Sequence, residues 1–345
     1  MHLESDLNST RNNSKTRVAF FSSDGIALPL LEFLIQLNDP GFELAGVLTQ
    51  PDRPAGRGKK LRSNPVKAWA VERGLKVLEP ERPGESEVAW VRENADLVLV
   101  MAYGHILSEE LLEAPVLGTF NFHGSILPSY RGASPVETAL AMGEETTGVT
   151  LMRVVPRMDA GPVVDCETIP IGDGDDGPSL REKLATACVP ILERSLRSLL
   201  DGVASETPQD EQAASYCRKL RKVDGALDFR QPAEVLARRV AAFRAWPGCY
   251  FDLRESRIKV GWAESVKPEE NYVCGEIMLS GGGEFLVGTP SGALSLLELQ
   301  RPGGRMLPAS DFLRGFPVME GELAGSSELT NLITSRPKGR GELKS

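Results

Sequence analysis

The run Asn121-Phe122-His123-Gly124-Ser125-Ile126-Leu127-Pro128 holds the residues of this chain best suited to chemistry, with Asp159 further on as a candidate carboxylate partner. An amide and an imidazole two residues apart near a strand end project from one face, because side chains alternate along a strand. Such a pair can donate hydrogen bonds to an oxygen that gains negative charge during attack on an acyl carbon. A neighbouring carboxylate can then receive a proton. A blander reading is also open, in which the pair satisfies buried backbone groups. Asp159 precedes Ala160-Gly161, a context in which an Asp often caps a turn.

The elements that must position these groups follow from the surrounding pattern. Gly118-Thr119-Phe120 is β-prone, and Gly124 and Pro128 end the strand in a loop. From Arg17 to about Thr150 the chain alternates short apolar runs with helical periods. Strands are expected at Val18–Ser22, Leu44–Thr49, Lys76–Leu78, Leu97–Ala102 and Thr119–His123, with helices at Leu28–Leu37, Pro65–Arg73 and Glu85–Glu93. That alternation predicts an α/β domain with a doubly wound, mostly parallel, Rossmann-like sheet. Ligands of such sheets sit outside the carboxyl ends of the strands, where Asn121 and His123 fall. The first turn, Ser22-Ser23-Asp24-Gly25, lacks the GxGxxG fingerprint, and no Walker P-loop occurs, which argues against an NAD enzyme or an NTPase. Ser22 and Ser23 either cap the next helix or contact a ligand.

Ser179-Leu180-Arg181-Glu182 reads as a capping box, opening a helix with apolar Leu184, Ile191, Leu192, Leu196 and Leu199 at helical spacing. Pro190 is expected to kink that helix or break it in two. The polar stretch after Asp201-Gly202 reads as an inter-domain linker. Beyond it, Glu234–Phe243 is helical, and Tyr250–Leu253, Arg257–Val260, Gly275–Leu279, Glu284–Val287 and Leu294–Glu298 are short strands between Gly-rich turns. They suggest a small β-barrel domain of OB type. The expected organisation is a disordered extension over 1–16, a catalytic domain over 17–204, a linker over 205–222, the barrel over 223–320 and a flexible tail over 321–345.

With 345 residues, 41% of them apolar, the chain exceeds the roughly 250 residues at which single cores stop growing. Its formal charge of −9 argues against a protein that coats nucleic acid non-specifically. Yet between Gln50 and Lys67 six basic residues face one acidic residue, a local +5 that leaves −14 for the remainder. Arg53, Arg57, Lys59, Lys60 and Arg62 lie there, in a segment rich in Pro and Gly that reads as a long mobile loop rather than helix or strand. Such a loop is either a solvated charge run or a grip for phosphates. Arg218-Lys219-Leu220-Arg221-Lys222 is a second basic cluster, read alone as a solvated face, and Trp246 is read as core. The five scattered cysteines and three histidines suggest neither a metal cluster nor a disulfide framework, and a reducing cytoplasm is expected. No apolar run reaches the ~18 residues that would span a membrane.

Four segments together resemble the methionyl-tRNA formyltransferase family of 10-formyltetrahydrofolate-dependent enzymes: Thr49–Lys60, Ala102-Tyr103-Gly104, Asn121–Pro128 with Tyr130-Arg131-Gly132, and Met158-Asp159-Ala160-Gly161. Lys219-Leu220, Asp224-Gly225, Ala245–Gly248 and Leu296–Gly303 extend the resemblance, which covers roughly 17 to 320. It implies catalytic roles for Asn121, His123 and Asp159, and folate contacts at Ser125, Ile126, Leu127, Pro128, Tyr103 and Gly104. It also implies a basic loop, with Arg53, Arg57, Lys59, Lys60 and Arg62, that enters the acceptor stem of initiator methionyl-tRNA. A metal is not implied, and a monomer is expected. The chain departs from the family pattern at Ser22–Ile26 and at Pro162. A sugar-nucleotide N-formyltransferase would use the same trio, and a non-catalytic tRNA-binding protein would use only the basic loop and the barrel.

Overall fold

The structure is a computed structural model and describes residues 15–334 apart from 38, 40, 56, 57, 59, 268–271 and 280–282. In chain order, β1 (Thr16–Phe21) leads through a short 3-10 turn into α1 (Leu28–Gln36), followed by β2 (Phe42–Leu48), β3 (Arg53–Ala55) and β4 (Lys60–Arg62). Next come α2 (Pro65–Glu72), β5 (Val77–Leu78), α3 (Glu85–Asn94), β6 (Leu97–Val100), α4 (Glu109–Leu112) and β7 (Gly118–His123). They are followed by β8 (Arg131–Gly132), α5 (Pro135–Met142), β9 (Thr146–Arg153), β10 (Val163–Pro170), α6 (Gly177–Leu200) and β11 (Tyr216–Cys217). The remaining elements are α7 (Ala233–Ala242), β12 (Cys249–Leu253), β13 (Ser256–Val266), β14 (Ile277–Leu279), β15 (Phe285–Gly288), β16 (Ala293–Gln300), β17 (Leu307–Pro308), α8 (Ala309–Gly315) and β18 (Ile333–Thr334).

The chain forms two compact units, one of residues 1–127, 148–168 and 184–211, the other of 128–147, 169–183 and 212–345. In the first, the sheet order is β10-β9-β7-β6-β1-β2-β5. β5, β2, β1, β6 and β7 run parallel, and β9 is antiparallel to β7. Central parallel strands are covered on both faces and therefore read as continuous apolar runs. Val18, Ala19, Phe20 and Phe21 of β1 and Leu97, Val98 and Leu99 of β6 are accordingly fully buried. The expected strands and helices of this half all form, within two residues of their predicted ends. In the second unit an antiparallel curled sheet, β12-β13-β16-β15-β14 with β17 beside β16, packs over buried Phe229, Phe251 and Phe285, whose rings meet edge to face.

Four expectations are corrected. The basic segment is not irregular throughout: β3 and β4 pair antiparallel, with Arg53 opposite Arg62 and Ala55 opposite Lys60. Arg57 and Lys59 lie outside the described residues. Pro190 does not break α6, which runs unbroken as a helix from Gly177 to Leu200. An internal Pro costs a helix about 3 kcal/mol, and six neighbours, Leu184, Cys188, Ile191, Leu192, Leu196 and Leu199, are buried on one stripe. The capping pair at the start of α6 is Asp176 with Ser179, three residues earlier than expected. Each backbone N–H donates to the other's side chain, at 2.8 and 3.0 Å. Trp246 is 47% exposed, because the Ala245–Gly248 turn carries it outward while Phe243 fills the core beneath Arg239.

The second basic cluster is more than a solvated face. Arg218 clamps the fully buried Asp224 with bonds of 2.6 and 2.7 Å, and Thr330 and the Arg221 N–H add to it. Burial opposes the charge on Asp224, yet these donors hold its carboxyl down at about 2. No helix among the described residues is long and apolar enough to cross a membrane.

Candidate active site

Asn121 and His123 occupy the carboxyl end of β7, where Asn121 faces Val100 of β6 and Met152 of β9, and His123 faces Thr150. Their two-residue spacing on a regular strand puts both side chains on one face of the sheet. Asn121 is half-buried and His123 buried, so the amide and the imidazole are largely shielded from water. The loop that follows is pinned from below: Thr150 Oγ1 donates to the Ser125 carbonyl at 2.7 Å and accepts from the Leu127 N–H at 3.1 Å. Ser125 and Leu127 are buried while Ile126 is half-buried at the rim.

Asp159 lies in the turn between β9 and β10. Its Oδ2 is 3.7 Å from His123 Nδ1, an ion-pair distance rather than a hydrogen bond. Catalytic contacts are often this long without substrate and tighten when it binds. The Asp159 backbone has φ +47°, a left-handed conformation uncommon for a residue with a Cβ. Two observations explain how it is held. Gln209 Nε2 donates to the carbonyls of Asp159 (2.9 Å) and Gly161 (2.7 Å), and the Arg153 N–H bonds the Pro162 carbonyl at 3.0 Å. At Gly161 a Cβ would fall 1.8 Å from the Arg153 carbonyl, so only glycine closes this turn. Gln209 belongs to the polar stretch read as linker, and nothing in the sequence marks it as a support for Asp159.

The neighbouring strand ends complete the rim. Ala102 follows β6 with φ +48° and Gly104 with φ +82°, and both are exposed. Tyr103 between them turns its ring into the core against Phe21, 5.5 Å between centroids, so this residue offers the rim its backbone. Burial raises the pKa of its phenol well above the ordinary value. Ser22 and Ser23 do not cap the first turn; Asp24 does, accepting from the Ile26 N–H. Ser23 Oγ instead donates to the Tyr103 carbonyl and accepts from the Gln50 N–H. Pro128 begins a segment of the second unit and is half-buried there. Arg53, Lys60 and Arg62 are exposed along the β3–β4 ribbon, Arg53 paired with Glu81 at 2.8 Å. Among the described residues no cluster of His, Cys, Asp and Glu could hold a metal ion.

Comparison with known proteins gives the family. A family model described as formyl transferase matches residues 16–196, and a second, the formyl transferase C-terminal domain, matches 219–317. Methionyl-tRNA formyltransferase of Methylobacillus flagellatus is 37% identical over 313 residues, 90% of this chain and 100% of that protein. The enzyme of the same name from Alcanivorax borkumensis is 38% identical over 88% of this chain and 92% of its own. Among solved structures, the sugar 3N-formyl transferase WlaRD, determined with dTDP and 5-N-formyl-THF, superposes with a TM-score of 0.62 at 17% identity, over 85% of this chain and all of that one. HypX from Aquifex aeolicus, in complex with tetrahydrofolic acid, gives 0.59 at 18% identity, over 91% of this chain and 51% of that one. These two share the fold. The chain belongs to the formyl transferase family. Within that family its full-length similarity is to the methionyl-tRNA formyltransferases.

Proposed function

We propose that this protein transfers the formyl group of 10-formyltetrahydrofolate to the α-amino group of methionyl-initiator-tRNA, giving formyl-methionyl-tRNA and tetrahydrofolate. The observation that carries the reading is the approach of His123 and Asp159 beside Asn121, in a chain similar over nine-tenths of its length to methionyl-tRNA formyltransferases. The amine nitrogen bonds to the formyl carbon, the bond from that carbon to N10 breaks, and the proton the amine gives up is balanced by one that N10 takes as it leaves as tetrahydrofolate. Asn121 and His123 donate to the oxygen that becomes an oxyanion, and Asp159 orients the imidazole and receives the amine proton directly or through water. One such donor is worth about 3 kcal/mol, or 10²–10³ in rate.

The exposed backbone at Ala102 and Gly104 and the half-buried Ile126 fit a flat heteroaromatic ring, which needs an apolar slot with few side chains in the way. Ser125 to Pro128, Tyr103 and Gly104 are the residues we assign to the folate. We assign Arg53, Arg57, Lys59, Lys60 and Arg62 to the tRNA phosphates. The catalytic and tRNA-binding domains are taken as 17–204 and 223–320 joined by 205–222, with the curled sheet as part of an OB-like barrel. The protein is read as a cytoplasmic monomer.

A formyl-transfer assay tests the reading directly, with charged initiator tRNA and an amino-sugar nucleotide as competing acceptors and 10-formyltetrahydrofolate as donor. Formylated tRNA is the expected product, and His123→Ala lowers kcat by about 10²–10³ while folate still binds. Transfer to the sugar nucleotide alone, tRNA binding without transfer, or near-normal kcat in His123→Ala would each sink it.

A further inference from the structure

The β3–β4 ribbon has three residue pairs, and Arg53, Pro54, Lys60, Leu61 and Arg62 are all exposed. A two-stranded ribbon whose described side chains are all exposed does not hold its own direction. Its two roots are instead fastened by one polar network. Asn64 Nδ2 donates to the Gln50 carbonyl at 2.8 Å, joining the end of the ribbon to its beginning. Asn64 Oδ1 accepts from Thr49 Oγ1 at 3.0 Å and from the Lys67 N–H at 2.9 Å, the latter capping α2. Lys67 Nζ then holds Asp52 at 2.8 Å and Glu79 at 2.6 Å. Gln50 Nε2 reaches across 53 positions of sequence to the Tyr103 carbonyl, at 3.0 Å. It lies so close over Gly104 that a Cβ there would fall 2.5 Å from it.

We propose that Gln50 and Asn64 are positioning residues that set the direction of the basic ribbon relative to the catalytic rim, and so govern productive capture of the charged tRNA. The physical line is short. The ribbon is tied through Gln50 to Tyr103, three residues beyond Val100, and Val100 is the strand partner of Asn121. Asn64 uses both ends of its amide, the oxygen for the helix cap and the nitrogen for the ribbon root. An aspartate would cap α2 as well but could not donate to Gln50. This proposal rests on the ribbon as a tRNA contact.

The test measures KM and kcat for charged initiator tRNA, and KM for 10-formyltetrahydrofolate, in Gln50→Ala, Asn64→Asp and a ribbon variant carrying Arg53→Ala, Lys60→Ala and Arg62→Ala, singly and combined. Losing one hydrogen bond of the tie raises KM for tRNA about five- to tenfold. The folate KM stays unchanged, and Gln50→Ala does not add to the loss in the ribbon variant, because a ribbon without charge gains nothing from direction. Asn64→Asp sets a carboxylate oxygen against the Gln50 carbonyl, so it also lowers the thermal midpoint modestly. Full additivity, a loss confined to kcat or to the folate KM, or no change at all would overturn it. An unchanged tRNA KM in the ribbon variant by itself would instead remove the tRNA reading of the ribbon, and the proposal with it.

Discussion

At Asp159 the backbone pays for the position of the carboxylate, since a left-handed conformation costs an ordinary residue about 1 kcal/mol. Asn adopts that conformation nearly as readily as Asp, so Asp159→Asn removes the charge and leaves the turn. We expect kcat to fall about 10²–10³ with the thermal midpoint unchanged, whereas Asp159→Ala combines the catalytic loss with a lower midpoint. A kcat for Asp159→Asn within threefold of the parent would show that the carboxylate is a turn residue only. The placement of Asn121 and His123 on one face of a strand end was legible from spacing, because period-two alternation needs only local sequence. The partners of this site were not. Gln209 meets Asp159 from 50 positions away and Thr150 meets Ser125 from 25, contacts that only the folded sheet brings about.

Among the elements, the parallel strands were legible because burial on both faces leaves continuous apolar runs. The β3–β4 ribbon was hidden for the opposite reason: its described side chains are exposed, so its residues carry no hydrophobic period. Helix α6 shows packing overriding a local signal, and this makes a prediction at the same scale. Pro190→Ala restores a backbone donor in a helix that is already formed, while the looser unfolded chain offsets part of the gain. The variant should be more stable by about 1–2 kcal/mol, read as a higher thermal or denaturant midpoint. A lower midpoint would mean that the helix around Pro190 is shaped to the ring.

Over the whole molecule, one buried charge makes a prediction about acid tolerance. Asp224 titrates near 2 in the folded protein against about 3.9 unfolded. A depressed folded pKa stabilises above the unfolded value and is lost as pH falls through the folded one, so roughly 2 kcal/mol should disappear between about pH 4 and 2. In Asp224→Asn that part of the acid-unfolding profile should flatten, at the cost of a lower midpoint at neutral pH from the unpaired Arg218. Persistence of the same slope in that variant would assign the acid sensitivity elsewhere.

The proposed uptake of tRNA makes a second prediction from charge. A chain of net −9 repels a polyanion except where a local excess of cations meets it, so on the proposed reading of the ribbon capture runs through its cations and weakens with salt. Each ribbon cation that displaces a phosphate counterion adds about 0.7–0.9 to the slope of log KM against log salt. Removing Arg53, Lys60 and Arg62 together should therefore lower the slope by about 2. Arg53 begins with a handicap, because Glu81 holds it at 2.8 Å. An exposed pair of this kind is worth about 0–1 kcal/mol, so tRNA can break it, but doing so costs affinity. Glu81→Gln should accordingly lower KM for charged tRNA by about two- to fivefold and steepen its salt dependence, with the folate KM unaltered. A KM that stays the same in Glu81→Gln, while the triple variant raises it, would place Arg53 outside the contact and leave Lys60 and Arg62 as the described cations that meet the phosphates.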